Sequence, residues 1–447
     1  RRLQDYSIKT FAKFYGRRPV RHSGRQMNYT RFTPEISGTK SDIQVSKRWK
    51  GATVRSTGMM APRLDDTSAK KIPAETAGEN VSSSTKFLIP TFLVCLSIPI
   101  FFDIGTLRLS PSRIFVLAAI VPLTFAWLSG KAGEKRYADT FVLLFGGWIV
   151  LSLSVTEGLP RFPYASMVAI ETIAPYLLAR VLINSMEEYL ILLKSILKIM
   201  AVLAPFAIYE SIATIMPISA ALDNFFSTFP KNLTYDLRLG LSRAQVVFEH
   251  PILFGIFSAM LLAPTIVYVR IAARSTLEKS FLILPILLCV FFSLSSGAYV
   301  SALIQFSVLV WGYLLRGYRK RWIALVSLVV TSMVAVDMAS SRSFPEVLAS
   351  YTSFSKHNAY MRIHQFNFGL ESVANNPMFG LGFREWVRPN WLPRSVDNFW
   401  LVVAMKYGAP AFFLIAMSLI AVIITASSAR PKSELAAKLR TAHIASL

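Results

Sequence analysis

The sequence predicts an all-α fold: a polytopic transmembrane helical bundle of about ten spans, with a large outer loop before the last one. Three observations predict it. Of 447 residues, 53% are hydrophobic and only 16% are charged, and mean hydropathy is +0.46. Apolar runs of membrane length recur along the chain. The connections between alternate runs are short and basic.

A hydrocarbon core about 30 Å thick takes roughly 20 mostly apolar residues per helix. The runs are 87–104, 114–130, 140–156, 164–183, 197–217, 251–269, 280–297, 298–315, 322–338 and 398–427. Ser295-Ser296-Gly297 supplies a turn between the seventh and eighth, which are nearly contiguous. The last run is too long for one straight helix. Tyr407-Gly408-Ala409-Pro410 breaks it into a short interfacial piece and a true span.

Charge sets the orientation. The net charge is +23, but residues 1–86 hold 18 Lys and Arg against 7 Asp and Glu, so about half of it lies in the first segment. That segment has no apolar run and reads as a disordered basic tail. No apolar signal core follows its first charges, and its basic residues suit anionic headgroups. The chain opens on Arg1, and the true start is expected elsewhere, with Met27 and Met59 as candidates. With the tail inside, the inside connections carry Lys131, Lys135 and Arg136, then Lys194 and Lys198. Next come Arg270, Arg274 and Lys279, then Arg316, Arg319, Lys320 and Arg321. The C-terminal tail adds Arg430, Lys432, Lys438 and Arg440. Lys/Arg bias of this kind marks the cytoplasmic face, so both termini are expected inside. The expected organisation is a basic tail 1–86, nine spans over 87–338, an outer loop 339–397, a last interfacial and transmembrane segment 398–428, and a basic tail 429–447.

Several function classes fall away. Nucleic-acid binding is not expected, because the charge follows topology. Cys95 and Cys289 both lie inside apolar runs, which excludes a disulfide framework and a Cys-rich metal site. Five histidines show no HExxH spacing. His357 and His364 are seven residues apart, whereas a helical metal pair more often uses four. No metal and no cofactor are expected.

The outer side carries the long loops, 218–250 and 339–397, and long loops carry function more often than short ones. The first ends in Arg243-Ala244-Gln245-Val246-Val247-Phe248-Glu249-His250-Pro251. The second contains His357, Arg362 and His364, then Asn375-Asn376-Pro377-Met378-Phe379-Gly380-Leu381-Gly382, and ends in Asp397-Asn398-Phe399-Trp400-Leu401, followed by Tyr407-Gly408. With the Ser-Ser-Gly-Ala turn after the seventh run, these four elements in this order resemble the O-antigen ligase and O-antigen polymerase-like family of bacterial inner-membrane proteins. The likeness covers roughly 110–428. Family members usually have Ser-Arg-Gly at Ser295-Ser296-Gly297. They often have His-Asn at Asp397-Asn398, and that His is the family's favoured base.

The resemblance implies glycan transfer from a polyprenyl-diphosphate-linked donor on the periplasmic face of the inner membrane. The acceptor is a growing glycan or lipid A core, and other polysaccharide assembly proteins are candidate partners. The residues agree in substance. Arg binds phosphate oxygens in a planar fork, which makes Arg243 and Arg362 the candidates for the diphosphate. The diphosphate is already a good leaving group, and fixed cations can stabilise its developing charge in place of a metal. A base is still needed for the acceptor hydroxyl. Asp397, His250, His364 and Glu249 are the outer-face groups available, and an inverting single displacement follows. The expected activity is polymerisation of lipid-linked repeats into exopolysaccharide or O-antigen. Ligation to lipid A core is the alternative, and a transporter or flippase is the third reading.

Each candidate also has a structural reading. Arg243 and Arg362 can face headgroups. His250 can cap the helix after it, and Asp397-Asn398 can cap the last segment. Asn376-Pro377 with Gly380 and Gly382 is first a turn. Trp386, Trp391 and Trp400 either stack on sugars or anchor at the interface, which the aromatic belt favours. Glu171, Arg180 and Glu210 fall within spans, where charges are paired or functional. Arg180 lies near the inner end, within reach of the surface by snorkelling. Glu171 and Glu210 as cavity-lining carboxylates are the argument for a transporter.

Overall fold

The computed structural model describes residues 82–105, 107–228, 237–272, 275–352, 356–428 and 434–446. The expectations for 1–81 and 429–433 lie outside the described residues. The chain is all-α, with one small sheet. Eight helical spans are long and apolar enough to cross a membrane among the described residues, so this is an integral membrane protein. Two shorter helices, Ser83–Leu96 and Thr276–Phe292, occupy the first and seventh of the ten expected positions.

The first run departs from expectation. Helix α1 (Ser83–Leu96) stops early, and Ile100–Ile104 is strand β1. Pro99 explains the break, because the residue before a proline is driven out of the helical region. β1 pairs antiparallel with β2 (Leu107–Leu109) and with β3 (Ser227–Thr228), giving the order β2-β1-β3. The outer connection around 105–113 is thereby joined to the outer loop 218–250.

Helices α2 (Pro111–Leu128), α3 (Tyr137–Glu157) and α4 (Phe162–Leu182) follow. Ser110 caps α2 at the Arg113 N–H, 3.3 Å. Next is α5 (Met186–Ala213), which starts earlier than expected. Ser185 and Glu188 form a capping box there, which satisfies backbone donors that a helix start leaves free. Lys194 and Lys198, expected in a loop, therefore lie within α5, in its third and fourth turns. A short α6 (Pro217–Leu222) precedes β3. The sixth run forms α7 (Pro251–Met260) and α8 (Leu262–Ala272), then come α9 (Thr276–Phe292) and α10 (Ser296–Leu314). The turn between α9 and α10 lies at Ser293-Leu294-Ser295, two residues before the expected one. Leu294 takes φ 45° there, while Ser296 and Gly297 are already helical.

The packing has two halves. In one, α2, α3 and α4 pack together. In the other, α5, α7, α9 and α10 share the largest core, around Met200, Phe254, Ile286 and Ala298. α11 (Arg321–Ala339) buries none of its residues. An apolar exterior is the expected surface of a span, since lipid tails exert no hydrophobic drive against it. The region 339–397 is partly helical, holding α12 (Phe344–Thr352) and α13 (Lys356–Asn375). The last run breaks at Gly408 into α14 (Phe399–Tyr407) and α15 (Ala409–Ser428), and α15 packs on α3. The C-terminal stretch is also ordered in part. α16 (Glu434–Ser446) lies against α8, and His443 meets the Tyr189 hydroxyl at 2.5 Å.

The intramembrane charges are paired inside the fold. Arg113 binds Glu171 through Nε at 2.5 Å and Nη2 at 3.1 Å. Arg180 is not a snorkelling residue. It grips Asp139 at 2.8 and 3.1 Å and donates to the Ala132 and Glu134 carbonyls. Tyr176 donates to the same carboxylate. Asp139 lies just before the run at 140–156, and its role was not legible from position alone.

Candidate active site

The first outer segment is held by a residue far from it in sequence. Glu210, in the last turn of α5, accepts the Gln245 N–H at 2.9 Å and the Val246 N–H at 3.0 Å. Val246 sits at φ 54°, a left-handed conformation that a β-branched residue rarely takes. The two N–H groups converge on one carboxylate because of that backbone turn. Glu210 is thus engaged by this loop backbone, and Glu171 by Arg113. Three further bonds fasten the segment. Ser242 N–H donates to Ser211 O at 2.9 Å, Ala244 N–H to Phe292 O at 2.9 Å, and Arg238 to Leu294 O at 2.5 Å. The last two land on the α9–α10 turn, which explains why a turn there matters to this loop. Arg243 is buried within this frame, unlike an arginine lying on headgroups, while Glu249 is exposed.

His250 caps α7, with Nδ1 accepting the Ile252 N–H at 3.1 Å. A neutral ring whose Nδ1 accepts carries its proton on Nε2. It therefore offers a donor, which suits an anionic oxygen and does not suit a general base. Burial, and then the positive charge of Arg243, hold His250 below the ordinary histidine value of 6.5; Asp397 opposes this and Arg238 adds to it. Between 6.5 and the lowered folded value, the unfolded chain binds a proton that the folded one excludes. Stability therefore falls as pH falls through that window.

These charges show what the fold gathers: Arg243, Arg238 and His250 from the first outer segment, and Asp397 from the second. Arg238 was not anticipated; a second arginine five residues before Arg243 was the available signal. Asn398 is the N-cap of α14, accepting the Leu401 N–H at 3.2 Å. The capping role thus falls to Asn398, and Asp397 stays exposed beside it. Trp400 packs edge-to-face on Phe399 and Phe412.

The glycine turn supports α14 from beneath. Leu381 N–H and Gly382 N–H donate to the Met405 and Lys406 carbonyls at 2.7 and 3.0 Å, and Ala409 N–H donates to Pro377 O at 2.8 Å. Gly380 takes φ 69° and Gly382 φ 63°. A side chain at Gly380 would strike the Lys406 backbone at 2.5 Å, and one at Gly382 would meet Thr156 and Glu157 at the end of α3. Glu157 also accepts the Phe383 N–H at 2.7 Å. The turn ties the second outer region to the α14–α15 break and to α3.

The remaining candidates lie on or around α13. Arg362 is half-buried and His357 is exposed. His364 sits among aromatic rings, 4.1 Å from Tyr360 and 5.2 Å from Trp391 between centroids, and its burial lowers its pKa. Trp386 is 8% exposed and donates to Arg394 O at 3.0 Å. It is core, and neither a sugar platform nor an interfacial anchor. Among the described residues, no group of three or more His, Cys, Asp or Glu is placed to hold a metal ion.

Residues 281–416 match the family model of the O-antigen ligase. That stretch, less than a third of the chain, is similar to the O-antigen ligase family. The match runs from α9 into α15 and takes in Arg362, His364, Gly380, Gly382, Asp397, Asn398 and Trp400. Arg243, Glu249 and His250 lie before it. No curated protein and no solved structure matches the chain. This likeness supports glycan transfer of the ligase or polymerase type.

The histidine has a direct test. His250→Asn keeps a capping acceptor but removes the Nε2–H. Its melting temperature should stay near wild type, while transfer falls roughly tenfold or more, the worth of a hydrogen bond to a charged group. Full transfer by this variant would reduce His250 to a cap.

Proposed function

We propose that the protein polymerises polyprenyl-diphosphate-linked repeat units on the periplasmic face of the bacterial inner membrane. The observation that carries this is that the charges of Arg243, Arg238 and the exposed Asp397 all act on His250. Such a site offers cations and an N–H to a diphosphate, and a carboxylate to an acceptor. Arg243, with Arg362, binds the diphosphate of the donor, and His250 donates Nε2–H to it. Asp397 takes the proton from the acceptor sugar hydroxyl. The new C–O bond forms at the anomeric carbon as the bond to the diphosphate oxygen breaks. The lipid diphosphate leaves with that electron pair. Displacement from the opposite face inverts the configuration, and no metal is required.

Contact patterns support the sidedness. Segments read as outer meet one another: β1 with β3, Glu157 with Phe383, Arg238 with Leu294. Segments read as inner do the same: Arg180 with Ala132, Tyr189 with His443. Both termini are then cytoplasmic.

The description of the matching domain favours a second reading, ligation to lipid A core. The transporter reading loses its support, because Glu171 and Glu210 are engaged within the fold. A deletion strain distinguishes all three. Loss of long polymer with single repeats retained on the acceptor means polymerase. Polymer accumulating on the lipid carrier means ligase. Normal glycan would overturn both.

A further inference from the structure

A cavity of about 770 Å³ lies far from the proposed active site, between α8, α10, the start of α11 and α16. From His250 to Arg270 the chain runs about 20 residues along α7 and α8, roughly 30 Å at helical rise. The cavity is therefore at the opposite ends of the helices from Arg243 and Asp397. Among the described residues its lining contains five cations, Arg270, Arg316, Arg321, Lys438 and Arg440, and no carboxylate. The rest of the wall is largely apolar, including Ile266, Leu309 and Val310.

Two of the cations are left unbalanced by the described residues. The guanidinium groups of Arg270 and Arg316 lie 5.8 and 5.7 Å from the centroid of one ring, that of Tyr313. One ring cannot offset two like charges held near each other, and among the described residues no carboxylate is ion-paired with either. By contrast, Arg321 and Arg440 also serve the fold, donating to Gly312 O at 3.1 Å and to Ala426 O at 3.3 Å.

We propose that this cavity binds the headgroup of an anionic phospholipid. The phosphate sits between Arg270 and Arg316, where bidentate arginine contacts are available. Basic pockets between transmembrane helices suit such headgroups. A free phosphate has no use for the apolar wall, whereas acyl chains continue along it onto the lipid-facing surfaces of α10 and α11. A zwitterionic headgroup brings a cation of its own toward five others. The bound lipid also bridges α16 to the bundle, because the cationic lining comes from both.

The test is native mass spectrometry of the full-length protein in detergent. It is titrated with phosphatidylglycerol, with phosphatidylcholine of the same acyl chains, and with glycerol phosphate. Phosphatidylglycerol should be retained preferentially. Arg270→Gln with Arg316→Gln should weaken its binding tenfold or more, on a scale of about 1 kcal/mol per basic residue, and Lys at both positions should restore most of it. An unchanged melting temperature without lipid establishes that the Gln variant is folded; if it is not, the single Arg316→Gln is read, with a smaller loss expected. Equal binding of phosphatidylcholine, equally tight binding of glycerol phosphate, or unchanged binding by the Gln variants would each overturn the proposal.

Discussion

Asp397→Asn should leave the protein in the membrane and lower glycan transfer by a factor of about 10² to 10⁴, the usual contribution of a positioned general base. The substitution is nearly isosteric. It leaves the α14 cap in place, because Asn398 makes that hydrogen bond. It also leaves Arg243 and His250 in their own frames, which are held from α5 and α7. What it removes is the one group of the cluster able to accept a proton from a sugar hydroxyl. Arg243 and Arg238 are permanent cations, and His250 has Nδ1 committed to a backbone N–H. The measurement is polymer formed by membranes supplied with lipid-linked repeats, with protein level checked by immunoblot. Wild-type turnover would make Asp397 structural and shift the role to Glu249 or His364.

Glu210→Ala should be the most damaging change outside the reacting groups. Glu210 is 3% exposed, and its carboxylate accepts two backbone N–H groups. Hydrogen bonds to a charged group contribute roughly 1.5–3 kcal/mol each, and buried donors left unmade add a desolvation cost. The Val246 turn contributes strain of about 1–3 kcal/mol that only surrounding contacts maintain. Without Glu210 that turn should relax, releasing the five residues that link Arg243 to Glu249. The expected result is a loss of at least about 3 kcal/mol in unfolding free energy and loss of most transfer activity, although Glu210 touches no substrate. Glu210→Gln should be intermediate, since one amide oxygen can still accept while its NH₂ opposes the second N–H. Denaturant unfolding in detergent beside a transfer assay reads both effects. Wild-type stability and activity in Glu210→Ala would show that the segment holds itself.

The spans and their order were legible because hydropathy and charge bias are properties of short windows. The Gly408 break was legible for the same reason, since glycine before Ala-Pro ends a helix locally. The first run misled because Ile100–Ile104 is equally apolar as helix or strand, and periodicity cannot separate the two over five residues. Its pairing with Ser227–Thr228 lies over 120 residues away in sequence. α13 was hidden because its polar face is broad and only Ala359, Gln365, Gly369 and Ser372 are buried. Asp139 was overlooked because its partner Arg180 is a whole helix away.

The same distinction holds for the candidate site. Residue chemistry alone singled out Arg243, His250 and Asp397, because fixed cations and a base suit a lipid diphosphate and a hydroxyl. Only the tertiary structure decided that Asn398 caps while Asp397 stands exposed, that His250 presents a donor, and that Glu210 is a clamp on the loop. Those outcomes depend on which backbone N–H reaches which side chain across tens of residues. The sequence by itself determined a membrane bundle with a basic side and a long-looped side, since each span satisfies its own backbone and answers to its own hydropathy. The site comes from contacts between spans, and these exist only once the bundle has packed.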